Sequence, residues 1–275
     1  MAEHAIPTDA SQELRDRINT AQPHTARIWN YWLGGKDHYE VDRAAGDQIR
    51  ALHPGIGDYA REDRLFLGRA VRHLVTECGI RQFLDIGTGL PTADNTHTVA
   101  QGLAPESRIV YVDNDPLVLA HARALLTSSP EGRTDYLDED LRNVDSILEH
   151  AARTLDFSRP VALVLLGVVI FLGDDDDPRG VVGRLMDALP SGSHLVLSHT
   201  ITDPSMPDVD EAVAFWNEHG TPRLTQRTPG QVTGFFDGLE LLEPGVVSCS
   251  RWRPESGAGE VPDEVAMFAG VARKS

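Results

Sequence analysis

Three acidic residues stand at or just past the ends of short apolar runs in this 275-residue chain: Asp85 in FLDIGTGLP (83–91), Asp113 in VDNDP (112–116), and Asp140, which Leu141 follows. Gly87 and Gly89, on either side of Thr88, have no side chain to keep a ligand from the backbone, and Asp85 puts a carboxylate at the tip of the same run. Asp113 comes 24 residues after Gly89, near the interval of about 20 expected between a glycine turn and an acid that grips ribose hydroxyls. An acid with an apolar neighbour, as in Asp140-Leu141, can accept from an exocyclic amino group while covering a purine face. The three acids together point to a nucleoside-type ligand. A dinucleotide would call for GxGxxG and a helix N-terminus facing pyrophosphate, whereas the text here is Gly87-Thr88-Gly89-Leu90-Pro91-Thr92, flanked by acids. A ligand without phosphate and with a cationic centre fits better, and S-adenosylmethionine is such a ligand.

Other residues carry weaker signals. His199 follows a strand-like run and is a candidate general base, since imidazole titrates near neutrality; an ordinary hydrogen-bonded strand-end histidine is the competing reading. Trp29, Trp32, Phe215 and Trp216 suit either an acceptor pocket or core packing. Four consecutive aspartates, 174–177, resemble a metal site, but Asp177 before Pro178 is a helix N-cap and acids favour a helix start, so no metal is expected.

The elements that must position these groups follow from hydrophobic period. QFLDIG (82–87), RIVYVDND (108–115), TDYLDEDL (134–141), VALVLLGVVIF (161–171) and HLVLSHT (194–200) read as strands, separated by helix-length segments that include 115–129, 143–153 and 178–190. This is the βαβ pattern of a parallel sheet, with the fourth run apolar enough for burial on both faces. Helices are expected at 208–220 and 228–238, and VVSCSRW (246–252) with VAMFAGVARK (265–274) reads as an antiparallel pair. Upstream, TARIWNYWLGGKDHYEVDRAAGDQI reads as helix, Gly34-Gly35 turn, helix, and a further helix over 59–77 is closed by Gly79. The expected fold is α/β: a doubly wound, Rossmann-like, seven-stranded and mostly parallel sheet with an antiparallel last strand. Residues 1–22 form a flexible lead, 23–79 an N-terminal helical cap or lid, and 80–275 the main domain, with ligands at the carboxyl ends of the strands.

Composition narrows the partners. The formal charge is -17, from 25 basic and 42 acidic residues, which repels polyanions and argues against nucleic acid. Cys78 and Cys249 form no ligand or redox motif, the N-terminus has no apolar signal region, and no apolar run approaches a membrane span. A soluble, cytoplasmic protein with no membrane partner is expected.

Segments 83–91, 112–116, 139–141 and 161–171 resemble the ordered cofactor motifs of class I S-adenosylmethionine-dependent methyltransferases. TARIWNYWLGGKDHYEVDR (25–43), SHT (198–200), FFDGLELLEPGVV (235–247) and the closing GVARK are similar to a smaller subfamily labelled S-adenosyl methyltransferase, with LGGKD the most specific text. The resemblance implies a Rossmann-like transferase using S-adenosylmethionine as methyl donor, with a small-molecule acceptor and in-line transfer. It implies that Asp85, Gly87 and Gly89 line the methionine part, with Thr88 in the same turn. Asp113 would hold the ribose, with Asn114 beside it, and Asp140 and Leu141 the adenine. Gly167 and Val168 would form the floor. Tyr31, Gly34 and Lys36 of the lid segment would close over the methionine end, with Tyr31 a second catalytic candidate beside His199. The chain departs from the subfamily at His38, where Asn is common, and at Ile170, where a Leu-His-Phe setting is common. The second departure keeps open a non-catalytic S-adenosylmethionine-binding sensor, and a nicotinamide-dependent oxidoreductase is the third alternative.

Overall fold

The computed structural model describes residues 18–91, 94–125, 128–254 and 262–275. Of the lead expected over 1–22, residues 1–17 lie outside the described residues, as do Thr92 of the glycine turn and residues 126–127 of the expected 115–129 helix.

Five parallel strands form the centre: β1 (Gln82–Ile86), β2 (Arg108–Asp113), β3 (Arg133–Asp138), β4 (Ala162–Leu166) and β5 (His194–Thr200). The sheet order is β3-β2-β1-β4-β5-β8-β6, where β8 (Met267–Arg273) runs antiparallel to β5. Chain order reverses between β1 and β4, which places the crevice of a doubly wound sheet at their carboxyl ends. All of β1 and β5 and four of the five residues of β4 are buried, because helices cover both faces.

Two expected strands are shorter than their apolar text. The fourth stops at Leu166: Gly167 takes φ +58 and Val169–Phe171 form a 3-10 turn whose Val169 and Ile170 stay buried. Apolar composition reports burial, and here it does not separate a strand from the buried turn that continues it. The run 246–252 is a strand only over β7 (Val247–Ser248), then a 3-10 turn over Cys249–Arg251. Both β6 (Glu240–Leu241) and β7 pair antiparallel with β8. Pro244 has no N–H for the ladder and Gly245 turns back onto the Leu242 carbonyl with φ +91, so one ribbon becomes two and the sheet has eight strands rather than seven.

The segment before β1, expected as a cap, consists of α1 (Thr25–Trp32), α2 (Glu40–Leu52) and α3 (Ile56–Thr76). Its node is Asp42, fully buried, which accepts from Arg27 Nε at 2.8 Å and from the backbone N–H groups of His24 and Tyr39. Arg27 also donates to the carbonyls of Asn19 and Gln22. A buried ion pair survives when hydrogen bonds satisfy its remaining valences, and this one is so satisfied. The inner face of α3, including Leu67, Ala70, Val71 and Leu74, packs into the core, and Arg69 ties it to the carbonyls of Cys249 and Trp252. Later in the chain come α4 (Thr96–Leu103), α5 (Pro116–Leu125), α6 (Val144–Ala151), α7 (Pro178–Asp187), α8 (Pro207–His219) and α9 (Pro229–Thr233). As expected, Asp177 caps α7 by accepting from Gly180 N.

Candidate active site

A cavity of about 230 Å³ opens at the carboxyl ends of β1, β2 and β4. Asp85, Gly87, Thr88, Gly89, Asp113 and Asn114 line it, and so do Asp140, Leu141, Gly167 and Val168. Ten residues spread over 84 positions of sequence thus share one wall, because parallel strands deliver their carboxyl ends to the same sheet edge.

The glycine turn is fastened to the next strand. Gly87 (φ +78) donates to the Val112 carbonyl, and a Cβ on it would overlap the Val168 side chain. Gly89 (φ +63) donates its N–H to Asp113 Oδ2 at 2.9 Å, and Asp115 N donates to Asp113 Oδ1 at the same distance. Burial pushes the Asp113 carboxyl up to about 6 against those two bonds. Asp85, buried, is likewise raised to about 6 by desolvation and partly restored by Thr96, whose hydroxyl donates to Oδ2 at 2.5 Å. Asn114 donates to Asp140 at 3.3 Å, linking the ends of β2 and β3, and Arg142 bridges Asp140 to Asp176. Thr88 bonds the Tyr136 hydroxyl at 2.8 Å.

Asp63 was not singled out from the sequence. It lies on α3, buried, lining the same cavity; its Oδ1 is shielded from solvent with no protein partner, and burial raises it to about 6 despite a bond from Ser198. The available signal was an acid on the apolar stripe Tyr59, Asp63, Leu67, Ala70, Leu74, where a hydrophobic residue would satisfy the helical period. His24, also on the wall, sits 2.9 Å from Asp115.

Four of the expected residues line neither this cavity nor the chamber next to it. His199 points the other way: its neighbours on β5 serve the cavity side, Ser198 bonding Asp63 and Thr200 lining the chamber, and side chains alternate along a strand. The ring is fully buried between Arg227 (2.8 Å at Nε2) and the Thr200 carbonyl (2.7 Å at Nδ1), stacked on Phe235, and desolvation depresses it to about 4. A base role facing an acceptor does not fit that placement. Tyr31 donates to Asp47 at 2.6 Å, Gly34 is an exposed turn residue with φ +79, and Lys36 is exposed. The LGGKD turn meets the cavity through its own Leu33 and through Asn30 just before it, whose Oδ1 accepts from Asp37 N at 2.9 Å.

A second, apolar chamber of about 70 Å³ lies between α1, α2, α3 and α8. Trp29, Trp32, Tyr59 and Trp216 are among its walls, whereas Phe215 stacks on His219 outside it. Thr25, Trp29, Gly167 and Phe171 belong to both spaces, so the chamber adjoins the acidic cavity.

The acidic cavity suits S-adenosylmethionine on this structure's own terms: a glycine turn with open space beside Gly89, three carboxylates raised by burial, and an unpartnered buried oxygen on Asp63. An adenosine carrying a sulfonium and an ammonium supplies hydroxyl donors and positive charge to such a set. Among the described residues no cluster of three or more His, Cys, Asp or Glu is placed to hold a metal, and no helix is long and apolar enough to cross a membrane.

Comparison with known proteins agrees. The chain is 45% identical to a DUF574 family protein from Streptomyces avermitilis MA-4680, whose crystal structure superposes with a TM-score of 0.89 over 93% of this chain and 99% of that one. A candidate methyltransferase from Thermobifida fusca YX is 38% identical, with a TM-score of 0.86 over 98% and 99% of the two chains. The carboxy-S-adenosyl-L-methionine synthase of Chromohalobacter salexigens is 31% identical over 160 residues, 58% of this chain but about half, 52%, of that protein. An O-methyltransferase family protein from Burkholderia thailandensis, 13% identical with a TM-score of 0.51, shares the fold over 97% of this chain and 68% of its own. The S-adenosyl methyltransferase family profile matches residues 11–275. The chain therefore belongs to the S-adenosyl methyltransferase family, and is an S-adenosylmethionine-dependent methyltransferase of Rossmann-like fold.

Proposed function

We propose that the protein methylates a small, largely apolar molecule held in the chamber between α1, α2, α3 and α8. The observation that carries this reading is the shared boundary at Trp29, Gly167 and Phe171: an apolar, aromatic-walled space adjoins the cofactor cavity. Apolar walls disfavour water and restrict orientation, which are the main contributions open to a protein when the donor already has a good leaving group. The sulfonium of S-adenosylmethionine supplies an electrophilic methyl. Asp113 is assigned to the ribose hydroxyls and Asp140 with Leu141 to the adenine. Asp63, Asp85 and the turn at Gly87 and Gly89 are assigned to the charged methionine end. The net charge of -17 supports an uncharged or cationic acceptor over an anionic polymer.

Filling the chamber tests the reading. Val213→Trp places bulk on its α8 wall, and overpacking of this kind typically costs about 1–3 kcal/mol of stability. The expected outcome is unchanged binding of S-adenosylhomocysteine by calorimetry, with loss of methyl transfer from radiolabelled S-adenosylmethionine to a small-metabolite extract. Transfer at the parental rate would place the acceptor elsewhere.

A further inference from the structure

His53 stands where α2 ends and Asp208 in the first turn of α8, 155 residues later, yet His53 Nδ1 lies 2.6 Å from Asp208 Oδ2. The hydrogen bond from His53 holds the Asp208 carboxyl below the ordinary carboxylate range, so at neutral pH it is ionised and only accepts. In the neutral imidazole Nδ1 then carries the proton and Nε2 a lone pair. That Nε2 is shielded from solvent and has no partner in the protein, while the ring lines the apolar chamber. A buried acceptor left without a donor is costly. Tyr59 and Thr200 on the same wall bond each other at 2.6 Å, and His199 faces away. Asp208 from α8 and Tyr59 from α3, edge-on at 6.5 Å, are the titratable groups set against the ring.

We infer that His53 is the general base of the methyl transfer, that Asp208 is its positioning residue, and that the acceptor is a compact aromatic molecule presenting a phenolic hydroxyl. The inference rests on reading the chamber as the acceptor site. The proton leaves the phenolic oxygen for Nε2, the electron pair on that oxygen forms the new bond to the sulfonium methyl, and the C–S pair stays with sulfur as a neutral thioether. A phenol is acidic enough to pass its proton to an imidazole, whereas an aliphatic alcohol is far weaker as an acid and a carboxylate needs no base. The indole and phenol walls at Trp29, Trp32, Tyr59 and Trp216 match a flat ring.

The test uses the full-length protein loaded with S-adenosylhomocysteine and 4-nitrophenol as probe, read by the absorbance of its phenolate. At a pH about one unit below the probe's own midpoint, the bound probe is expected to be mainly phenolate in the parent. In His53→Gln it is expected to bind but to show at least a tenfold smaller phenolate-to-phenol ratio, the equivalent of one pKa unit. Asp208→Asn, which keeps the ring but removes the charge that stabilises imidazolium, is expected to fall between them; a purely structural pair would not alter the bound probe's ionisation. A neutral bound probe in the parent, or an unchanged phenolate in His53→Gln, overturns the base assignment and leaves the chamber reading standing. Absence of binding to the parent, or equal binding to Val213→Trp, overturns the chamber reading and the base assignment together.

Discussion

At the scale of single residues, the site is a set of acids held near neutrality by burial. Asp63, Asp85 and Asp113 are each raised to about 6 from an ordinary 3.8. Between those values the folded protein binds more protons than the unfolded chain, so their contribution to stability is complete below about 4 and is lost as pH rises through about 6. Chemical denaturation of the ligand-free protein across that range should therefore show stability falling with pH from these groups. A bound cation reverses the preference: S-adenosylmethionine affinity should rise between roughly pH 5 and 7 with net proton release, measured by calorimetry in two buffers. S-adenosylhomocysteine, without the sulfonium charge, should release fewer protons, and equal release would mean the acids do not sense sulfur. Replacing Asp113 by Ala should weaken cofactor binding by about 1.5–3 kcal/mol, the range for a charged hydrogen bond. Unchanged affinity would remove the ribose assignment. Asp85 was legible because it stands near the end of an apolar run beside the glycine turn, and Asp113 because it ends the next strand at a recognisable interval. Asp63 and His53 were not, since nothing local tells an acid on a helix stripe, or a histidine after a helix, which cavity it will face.

At the scale of elements, the glycine turn after β1 is the tightest constraint. Gly87→Ala must adopt positive φ, at roughly 1–2 kcal/mol, and set its Cβ into Val168. A lowered melting temperature together with weakened cofactor binding is the expected outcome, and a variant with parental affinity would show the turn to be looser than its geometry implies. The alternation along β5 decides more than residue type does. His199, the obvious titratable group by composition, is turned away, while Ser198 and Thr200 on either side reach the functional spaces. Strand boundaries failed in the sequence where burial continued past the strand, at Gly167 and at Cys249, because apolar text records the surroundings of a segment and not its dihedral angles.

At the scale of the whole molecule, two unlike devices hold the helices before β1: the buried Arg27–Asp42 node ties α1 to α2, and the His53–Asp208 pair ties the end of α2 to α8. Asp42→Ala leaves the Arg27 charge buried and uncompensated, and such losses typically cost about 3–5 kcal/mol. The expected result is early proteolysis within 18–53 and a lowered urea midpoint, both relieved in part by adding Arg27→Met. Parental protease resistance would show that the cap is held chiefly by its apolar faces.

Periodicity and strand-end chemistry, which are local, determined the order of elements, the parallel sheet and the acids that stand at its carboxyl edge. The partners that lie far apart in sequence were decided only by folding: which face of β5 looks into the site, that α2 and α8 meet at His53 and Asp208, and that α1 walls both spaces. Those outcomes depend on how helices pack around a twisted sheet, and packing is a property of all the surfaces at once, with no pattern in any single segment to announce it.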